Sequence, residues 1–176
     1  NEDRLLIPGS VMKLVTSAAA LELLGHDYRF HTIVGYRGTI KDHTLEGDMV
    51  IIGGGDPALG SEYFRDHYND KQFLKKWARQ VKAAGIRSVT GNLILDCSLY
   101  DHEKIPPTWI WEDIGNYYGA AVSALTAYDN MFRITFRSPA GEGRKTEIIS
   151  IHPVPGNLKI DNYVLSSRIN KDRAYV

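Results

Sequence analysis

The sequence has few cysteines, no long apolar run and no excess of basic residues. Its 176 residues include a single cysteine, Cys97, which excludes an intrachain disulfide and a cysteine-based zinc site. No apolar run approaches the roughly 20 residues that a bilayer crossing requires, so we expect no membrane-spanning segment. The 21 basic residues equal the 21 acidic ones. A chain without a basic excess lacks the usual surface for polyanions, so we expect no nucleic acid partner.

Metal and nucleotide motifs are also lacking. The six histidines form no His-x-His or His-x-x-x-His pair, and the glycines at 53–55 belong neither to a Gly-Lys-Ser/Thr nor to a Gly-x-Gly-x-x-Gly motif. We therefore expect no metal and no cofactor, and interpret residues 53–57 as a turn. The chain has no initiator methionine and no signal peptide. We interpret it as a fragment whose natural N-terminus and C-terminal half lie outside it.

Hydrophobic periodicity predicts a mixed chain. Apolar residues at three- and four-residue steps predict helices over residues 10–24 and 70–84. Strand patterns cover residues 29–35, 49–52 and 89–96, with a turn between Gly35 and Gly38 and a surface loop over 101–118. From residue 130 the pattern is all-β, with strands at 131–136 and 146–151. The fold class predicted is α/β (α+β), with a domain boundary near residues 122–128.

The first helix begins with Ser10-Val11-Met12-Lys13, directly after Pro8-Gly9. Residues three apart on a helix lie side by side, so the Lys13 amine can reach the Ser10 hydroxyl and accept its proton. The positive end of the helix dipole favours the alkoxide that develops. A lysine that acts as a base must be uncharged, and the ordinary pKa of lysine is about 10.4, so this chemistry requires a closed pocket. The alternative is that Ser10 caps the helix and Lys13 is solvated.

The sequence around this motif resembles the active-site helix of class C low-molecular-mass penicillin-binding proteins, the D-alanyl-D-alanine carboxypeptidases and endopeptidases. Further blocks resemble the family in the same order and with roughly the same spacing. The similar blocks are residues 7–25, 27–32, 45–50, 54–59, 91–96 and 106–113. The resemblance extends to about Asn130 and is looser beyond it. Several ordered blocks are far more specific than one tetrapeptide.

The resemblance implies a transpeptidase/β-lactamase-like serine acyl-enzyme fold with inserted domains. Residues 1–33 would be a fragment of the catalytic domain, residues 34–124 a first inserted α/β domain, and residues 125–176 the start of a second, mainly β domain. It implies that Ser10 is the nucleophile, that Lys13 is the base, and that the protein is periplasmic or otherwise secreted. The partners implied are peptidoglycan stem peptides and β-lactams. The alternatives are a β-lactamase-like hydrolase and a non-catalytic peptidoglycan-binding module.

The resemblance also implies a substrate-binding pair. In the family, an acidic residue after a Trp-x-Trp segment binds the free amine on the diamino acid of the stem peptide, and an aromatic residue five positions later lines the same pocket. These positions are Asp113 and Tyr118, in a loop that also carries Trp109 and Trp111. A carboxylate beside aromatic rings can pair with an ammonium group at reduced dielectric. The alternative is that Asp113 caps local backbone.

Two motifs that the family would require are absent. No Ser-x-Asn occurs, and Lys145-Thr146-Glu147 has Glu where Lys-Thr-Gly has Gly. We interpret this tripeptide as a chance similarity within an inserted region. The chain therefore holds the nucleophile without its full pocket, and we expect residues 1–176 alone to be inactive.

Overall fold

The computed structural model describes residues 4–64, 72–154 and 156–169. Its contacts divide the chain into two compact units, Asn1–Phe30 and His31–Val176. Helices and strands occur together, and the predicted mixed α/β fold class is confirmed. None of the described helices is both long enough and apolar enough to span a bilayer.

The first unit is built on one helix. A 3-10 turn, Gly9–Val11, leads directly into helix α1, Met12–Leu24. Gly9 has a left-handed φ of 49°, and Gly25 ends the helix with a φ of 78°. The predicted helix over residues 10–24 is thus confirmed to within two residues. Every described residue of this unit, 4–30, is exposed.

The second unit contains a four-stranded sheet. Strands β1, Ile33–Lys41, and β2, Thr44–Ile52, form an antiparallel hairpin. Strands β3, Ser88–Val89, and β4, Leu93–Asp96, lie one after the other on the opposite side of β2 and run parallel to it. Because parallel strands need a long crossover, the chain returns through helix α2, Gln72–Ala83. The helix predicted over residues 70–84 is confirmed in its described part.

The predicted turn between Gly35 and Gly38 is wrong, because β1 continues through both glycines. The hairpin turns at Asp42 and His43, which have left-handed φ values of 47° and 63°. Gly38 instead lies opposite Gly47 in the hairpin. A Cβ on Gly38 would overlap the backbone of Glu46, so this glycine permits close approach of the strands rather than a reversal.

The core of the second unit lies between the sheet and α2. Leu45, Met49 and Ile86 are buried together, and Val81 of α2 packs against them. Leu45 is fully buried, at 0% exposure. Burial of this apolar face stabilises the helix on the sheet.

The glycine-rich loop after β2 is a packed turn, as predicted. A Cβ on Gly53 would overlap the backbone of Ala124, and Gly55 has a left-handed φ of 76°. The Gly55 N–H donates to the carbonyl oxygen of Ala124 at 2.7 Å. This loop is therefore held by backbone of its own unit.

The last strands form a separate two-stranded sheet of β5, Arg133–Arg137, and β6, Glu147–His152. The Arg133 guanidinium donates to both carboxylate oxygens of Glu62, at 3.0 and 2.8 Å. Hydrogen bonding to Glu62 raises the pKa of Arg133. This ion pair joins residues on the two sides of the predicted 124/125 boundary, which stays a prediction.

Candidate functional site

The predicted nucleophile and base lie together at the start of α1. Ser10 sits in the 3-10 turn, and Lys13 is the second residue of the helix. The Val11 N–H donates to the Pro8 carbonyl oxygen at 3.0 Å, which fixes the turn that presents Ser10. The Lys13 Nζ donates to the Ser10 Oγ over 3.2 Å. The Ser-x-x-Lys spacing thus becomes a direct hydrogen bond between the two side chains.

Ser10 does not cap α1. The N-cap residue is Val11, and no side chain caps this end of the helix. The Ser10 hydroxyl is therefore available to its lysine partner rather than to the first-turn backbone N–H groups. Both side chains are exposed.

Helix α1 exposes large apolar side chains on opposite sides. Leu14 and Leu21 are two of the apolar residues whose spacing predicts this helix, and they are 72% and 61% exposed. Leu23, on the opposite side, is 81% exposed. Large apolar side chains on more than one side are typical of a helix that is buried in a larger core.

The predicted substrate-binding pair lies in the second unit. Asp113 belongs to the short helix α3, Trp111–Ile114, and Tyr118 to the 3-10 turn Tyr117–Gly119. The Tyr118 hydroxyl donates to Asp113 Oδ1 at 2.9 Å. This hydrogen bond raises the pKa of Tyr118, because a neutral phenol can donate to the carboxylate and a phenolate cannot.

The Asp113 carboxylate does not cap local backbone among the described residues: no backbone N–H there donates to it. Asp113 is half-buried and Tyr118 is 56% exposed. The two tryptophans of the loop are also accessible, Trp109 at 37% and Trp111 at 82%. A carboxylate has about four acceptor positions, so Asp113 can accept further donors while it holds Tyr118.

Two residues that the sequence analysis did not single out close this loop. Asn116 Nδ2 donates to the carbonyl oxygen of Glu112 at 3.0 Å. Gly119 is buried, and its N–H donates to the carbonyl oxygen of Asn116 at 2.9 Å. The sequence signal was the Gly115-Asn116 pair, which is typical of a turn. The sequence carries no equivalent signal for Gly119.

In the Lys145-Thr146-Glu147 segment, the central threonine is buried and hydrogen-bonded. Thr146 is 7% exposed, and its hydroxyl donates to the carbonyl oxygen of Val164 at 2.9 Å. Asn162 Nδ2 donates to the carbonyl oxygen of Thr146 at 2.7 Å. These contacts hold Thr146 within the second unit, and the interpretation of the segment as a chance similarity stays a prediction.

No group of three or more His, Cys, Asp or Glu side chains that could hold a metal ion occurs in the described part of the chain. The prediction that the protein uses no metal and no cofactor stays a prediction. Cys97 is a half-buried free cysteine.

Comparison with known sequences matches the chain to D-alanyl-D-alanine carboxypeptidases. The model of the D-Ala-D-Ala carboxypeptidase 3 (S13) family matches residues 1–169. The chain is 34% identical over 168 residues to the D-alanyl-D-alanine carboxypeptidase of Actinomadura sp. (strain R39), covering 89% of this chain and 28% of that protein. It is 25% identical over 160 residues to the D-alanyl-D-alanine carboxypeptidase DacB of Haemophilus influenzae, covering 91% and 30%. The chain therefore spans less than a third of these relatives.

Comparison with solved structures supports the fold. The chain is similar to penicillin binding protein 4 (dacB) from Haemophilus influenzae with a TM-score of 0.69 and 24% identity, over 81% of this chain and 29% of that chain. For the complex of that protein with a β-lactam, the TM-score is 0.56 at 22% identity, over 81% and 26%. The mixed α/β architecture described above is thus shared with part of a penicillin-binding protein.

Proposed function

Because the chain belongs to the D-Ala-D-Ala carboxypeptidase 3 (S13) family, we propose that the protein containing it is a serine-type D-alanyl-D-alanine carboxypeptidase or endopeptidase. Its substrates would be peptidoglycan stem peptides, and β-lactams would acylate and inhibit it. The observation that carries this proposal is the 3.2 Å hydrogen bond between Lys13 Nζ and Ser10 Oγ. The two curated relatives named above are both D-alanyl-D-alanine carboxypeptidases.

The proposed reaction forms and then hydrolyses an acyl-enzyme. Ser10 Oγ attacks the carbonyl carbon of the D-Ala–D-Ala peptide bond, while an uncharged Lys13 amine accepts the hydroxyl proton. The C–N bond then breaks, the leaving D-Ala amine takes a proton, and the acyl group remains as an ester of Ser10. Water hydrolyses this ester and regenerates the hydroxyl. The Ser10 backbone N–H would be one donor to the oxyanion.

The Ser10–Lys13 geometry suits this role in both protonation states. A charged Lys13 donates to Ser10 Oγ, whereas an uncharged Lys13 can accept the Ser10 proton along the same line between the two atoms. The proton would therefore move without rearrangement of either side chain. We propose that the apolar surface of α1 is enclosed by further residues of the catalytic domain in the full-length protein. Such an enclosure would supply the closed pocket that a lysine base requires.

We further propose that Asp113 and Tyr118 bind the substrate. The Asp113 carboxylate would pair with the free side-chain amine of the diamino acid in the stem peptide, and Tyr118 would orient that carboxylate. The 2.9 Å hydrogen bond between them supports this assignment. We also propose domain boundaries at 33/34 and 124/125 and a periplasmic or otherwise secreted location.

The test is covalent labelling of the full-length protein with a fluorescent penicillin. Ser10→Ala should abolish labelling and leave the fold intact, because only a hydroxyl is removed. Ser17→Ala, which changes another exposed serine on the same helix, should label like the wild type. Unchanged labelling of Ser10→Ala would place the nucleophile elsewhere. No labelling of the wild type would favour a non-catalytic peptidoglycan-binding module.

A further inference from the structure

Gly119 approaches the backbone of Asp113 more closely than any other residue type could. A Cβ built on Gly119 would overlap the Asp113 carbonyl oxygen, and it would lie 2.7 Å from the Asp113 carbonyl carbon and 3.0 Å from the Ile114 Cα. All three atoms are backbone atoms, so none can rotate away as a flexible side chain could. Gly119 is not among the glycines with a positive φ. Glycine is therefore required at this position for space rather than for its dihedral angles.

This close approach closes the turn that joins Asp113 to Tyr118. The Asn116 N–H donates to the Asp113 carbonyl oxygen at 3.0 Å, and the Gly119 N–H donates to the Asn116 carbonyl oxygen at 2.9 Å. The Tyr118 side chain, which precedes Gly119, then meets the Asp113 carboxylate at 2.9 Å. The positions of the Tyr118 hydroxyl, which donates, and of the Asp113 carboxylate, which accepts, thus depend on the contact between Gly119 and residue 113.

We propose that Gly119 is a positioning residue that sets the Asp113–Tyr118 pair, and thereby the selectivity for stem peptides with a free side-chain amine. The inference rests on the proposed function of that pair. Gly119 itself touches no substrate. It acts on the Asp113–Tyr118 pair through the backbone of residue 113. A methyl group at position 119 forces the two backbone segments apart. A hydrogen bond weakens steeply once its atoms leave ordinary distance and angle, so the pair should separate.

The experiment compares Gly119→Ala with wild type in the full-length protein, using two stem peptides. One peptide has a free side-chain amine on its diamino acid, and the other is identical except that this amine is acetylated. We expect the ratio of kcat/KM for the free over the acetylated peptide to fall by about 10-fold or more, the scale for a lost charge-assisted contact. Acylation by a simple penicillin, which lacks the amine, should stay within about threefold of wild type.

Gly35→Ala is the matched control. Gly35 lies within β1, a Cβ there would meet no atom within 4 Å, and its φ is not left-handed. The same chemical change should therefore leave both the substrate ratio and penicillin acylation unchanged. A similar fall in the ratio for Gly35→Ala would contradict the specific role of position 119.

A second readout does not depend on substrate. In wild type, the hydrogen bond to Asp113 raises the pKa of Tyr118, with smaller contributions from desolvation and from the charges of Asp113 and Tyr117. NMR titration of ring-labelled tyrosine, with Tyr118→Phe to assign the signal, should show this pKa fall toward its ordinary value in Gly119→Ala. A Tyr118 pKa that stays raised would overturn the proposal, as would equal losses on both peptides and penicillin.

The two readouts separate the inference from the proposed function. If wild type does not distinguish the free from the acetylated peptide, the assignment of Asp113 to the amine fails. The Tyr118 titration then still decides whether Gly119 positions the pair.

Discussion

The two side-chain pairs differ in what holds them. Lys13 and Ser10 are three residues apart at the start of one helix, and their 3.2 Å contact follows from helical geometry. Tyr118 and Asp113 are five residues apart, and their 2.9 Å contact follows from a turn that closes against buried Gly119. The first pair stands in a unit whose described residues are all exposed, whereas the second includes a half-buried carboxylate.

The two pairs should therefore respond to different substitutions. The Ser10–Lys13 contact needs only the first turn of α1. Substitutions elsewhere in the chain should therefore leave the distance between Lys13 Nζ and Ser10 Oγ unchanged. They should affect the chemistry only where they change how α1 is buried in the full-length protein. The Asp113–Tyr118 geometry needs a specific backbone approach, so a single methyl group can alter it. Four substitutions test this difference between the two pairs and the units that carry them.

The largest effect is expected at Lys13. Lys13→Arg keeps the positive charge at all working pH values and cannot accept the Ser10 proton. We expect the rate of penicillin acylation of the full-length protein to fall by at least about 100-fold, the scale for loss of a general base. Glu22→Gln, a change on the same exposed helix, should stay within about threefold. A rate for Lys13→Arg within threefold of wild type would rule out the role of Lys13.

The next effect concerns stability and compares the two units directly. Leu45 is 0% exposed and Leu14 is 72% exposed. In residues 1–176, Leu45→Ala should lower the free energy of unfolding by about 2–5 kcal/mol, because it leaves a cavity under α2. Leu14→Ala should change it by less than about 0.5 kcal/mol, as is usual for surface positions. Denaturant titration measures both.

The same leucine pair tests the proposed enclosure of α1. In the full-length protein, Leu14→Ala should become as costly as Leu45→Ala, because the proposed catalytic domain would bury Leu14. A cost that remains below about 0.5 kcal/mol there would contradict the enclosure.

The effect on catalysis should be smaller at Asp113 than at Lys13. Asp113→Asn keeps the shape and removes the charge, so it should weaken catalysis on peptides with a free diamino-acid amine. A charge-assisted bond contributes about 1.5–3 kcal/mol, which corresponds to a loss in kcat/KM of about 10- to 150-fold. Acylation by a simple penicillin should hardly change. Glu112→Gln, the neighbouring acid, should leave both unchanged, and an equal loss on both substrates for Asp113→Asn would make Asp113 structural.

The sequence predicted most where structure depends on local periodicity. The helices over residues 10–24 and 70–84 agree with α1, Met12–Leu24, and α2, Gln72–Ala83, in their described parts. The Ser-x-x-Lys contact also follows from spacing alone. Asp113 and Tyr118 follow from the resemblance to the family and not from periodicity, and their role in substrate binding remains a prediction.

The sequence predicted least where glycine has two opposite uses. The sequence predicts a turn between Gly35 and Gly38, yet Gly38 lies in β1 opposite Gly47, and Asp42 and His43 form the left-handed turn. A glycine that permits close approach and one that permits a reversal look the same in a single sequence. The sequence gives no signal for the role of Gly119, because the atoms that it approaches are backbone atoms, which every residue type has.

The exposure of α1 also has a consequence for amide hydrogen exchange. The N–H groups of this helix are protected by their own intrahelical bonds, with no buried side chain to hold the helix closed. Opening of α1 in residues 1–176 is therefore a local event that costs little, and its amides should exchange long before those of β2, where Leu45 and Val50 are buried. Of these two described elements, the helix next to Ser10 would therefore take up deuterium well before the buried strand.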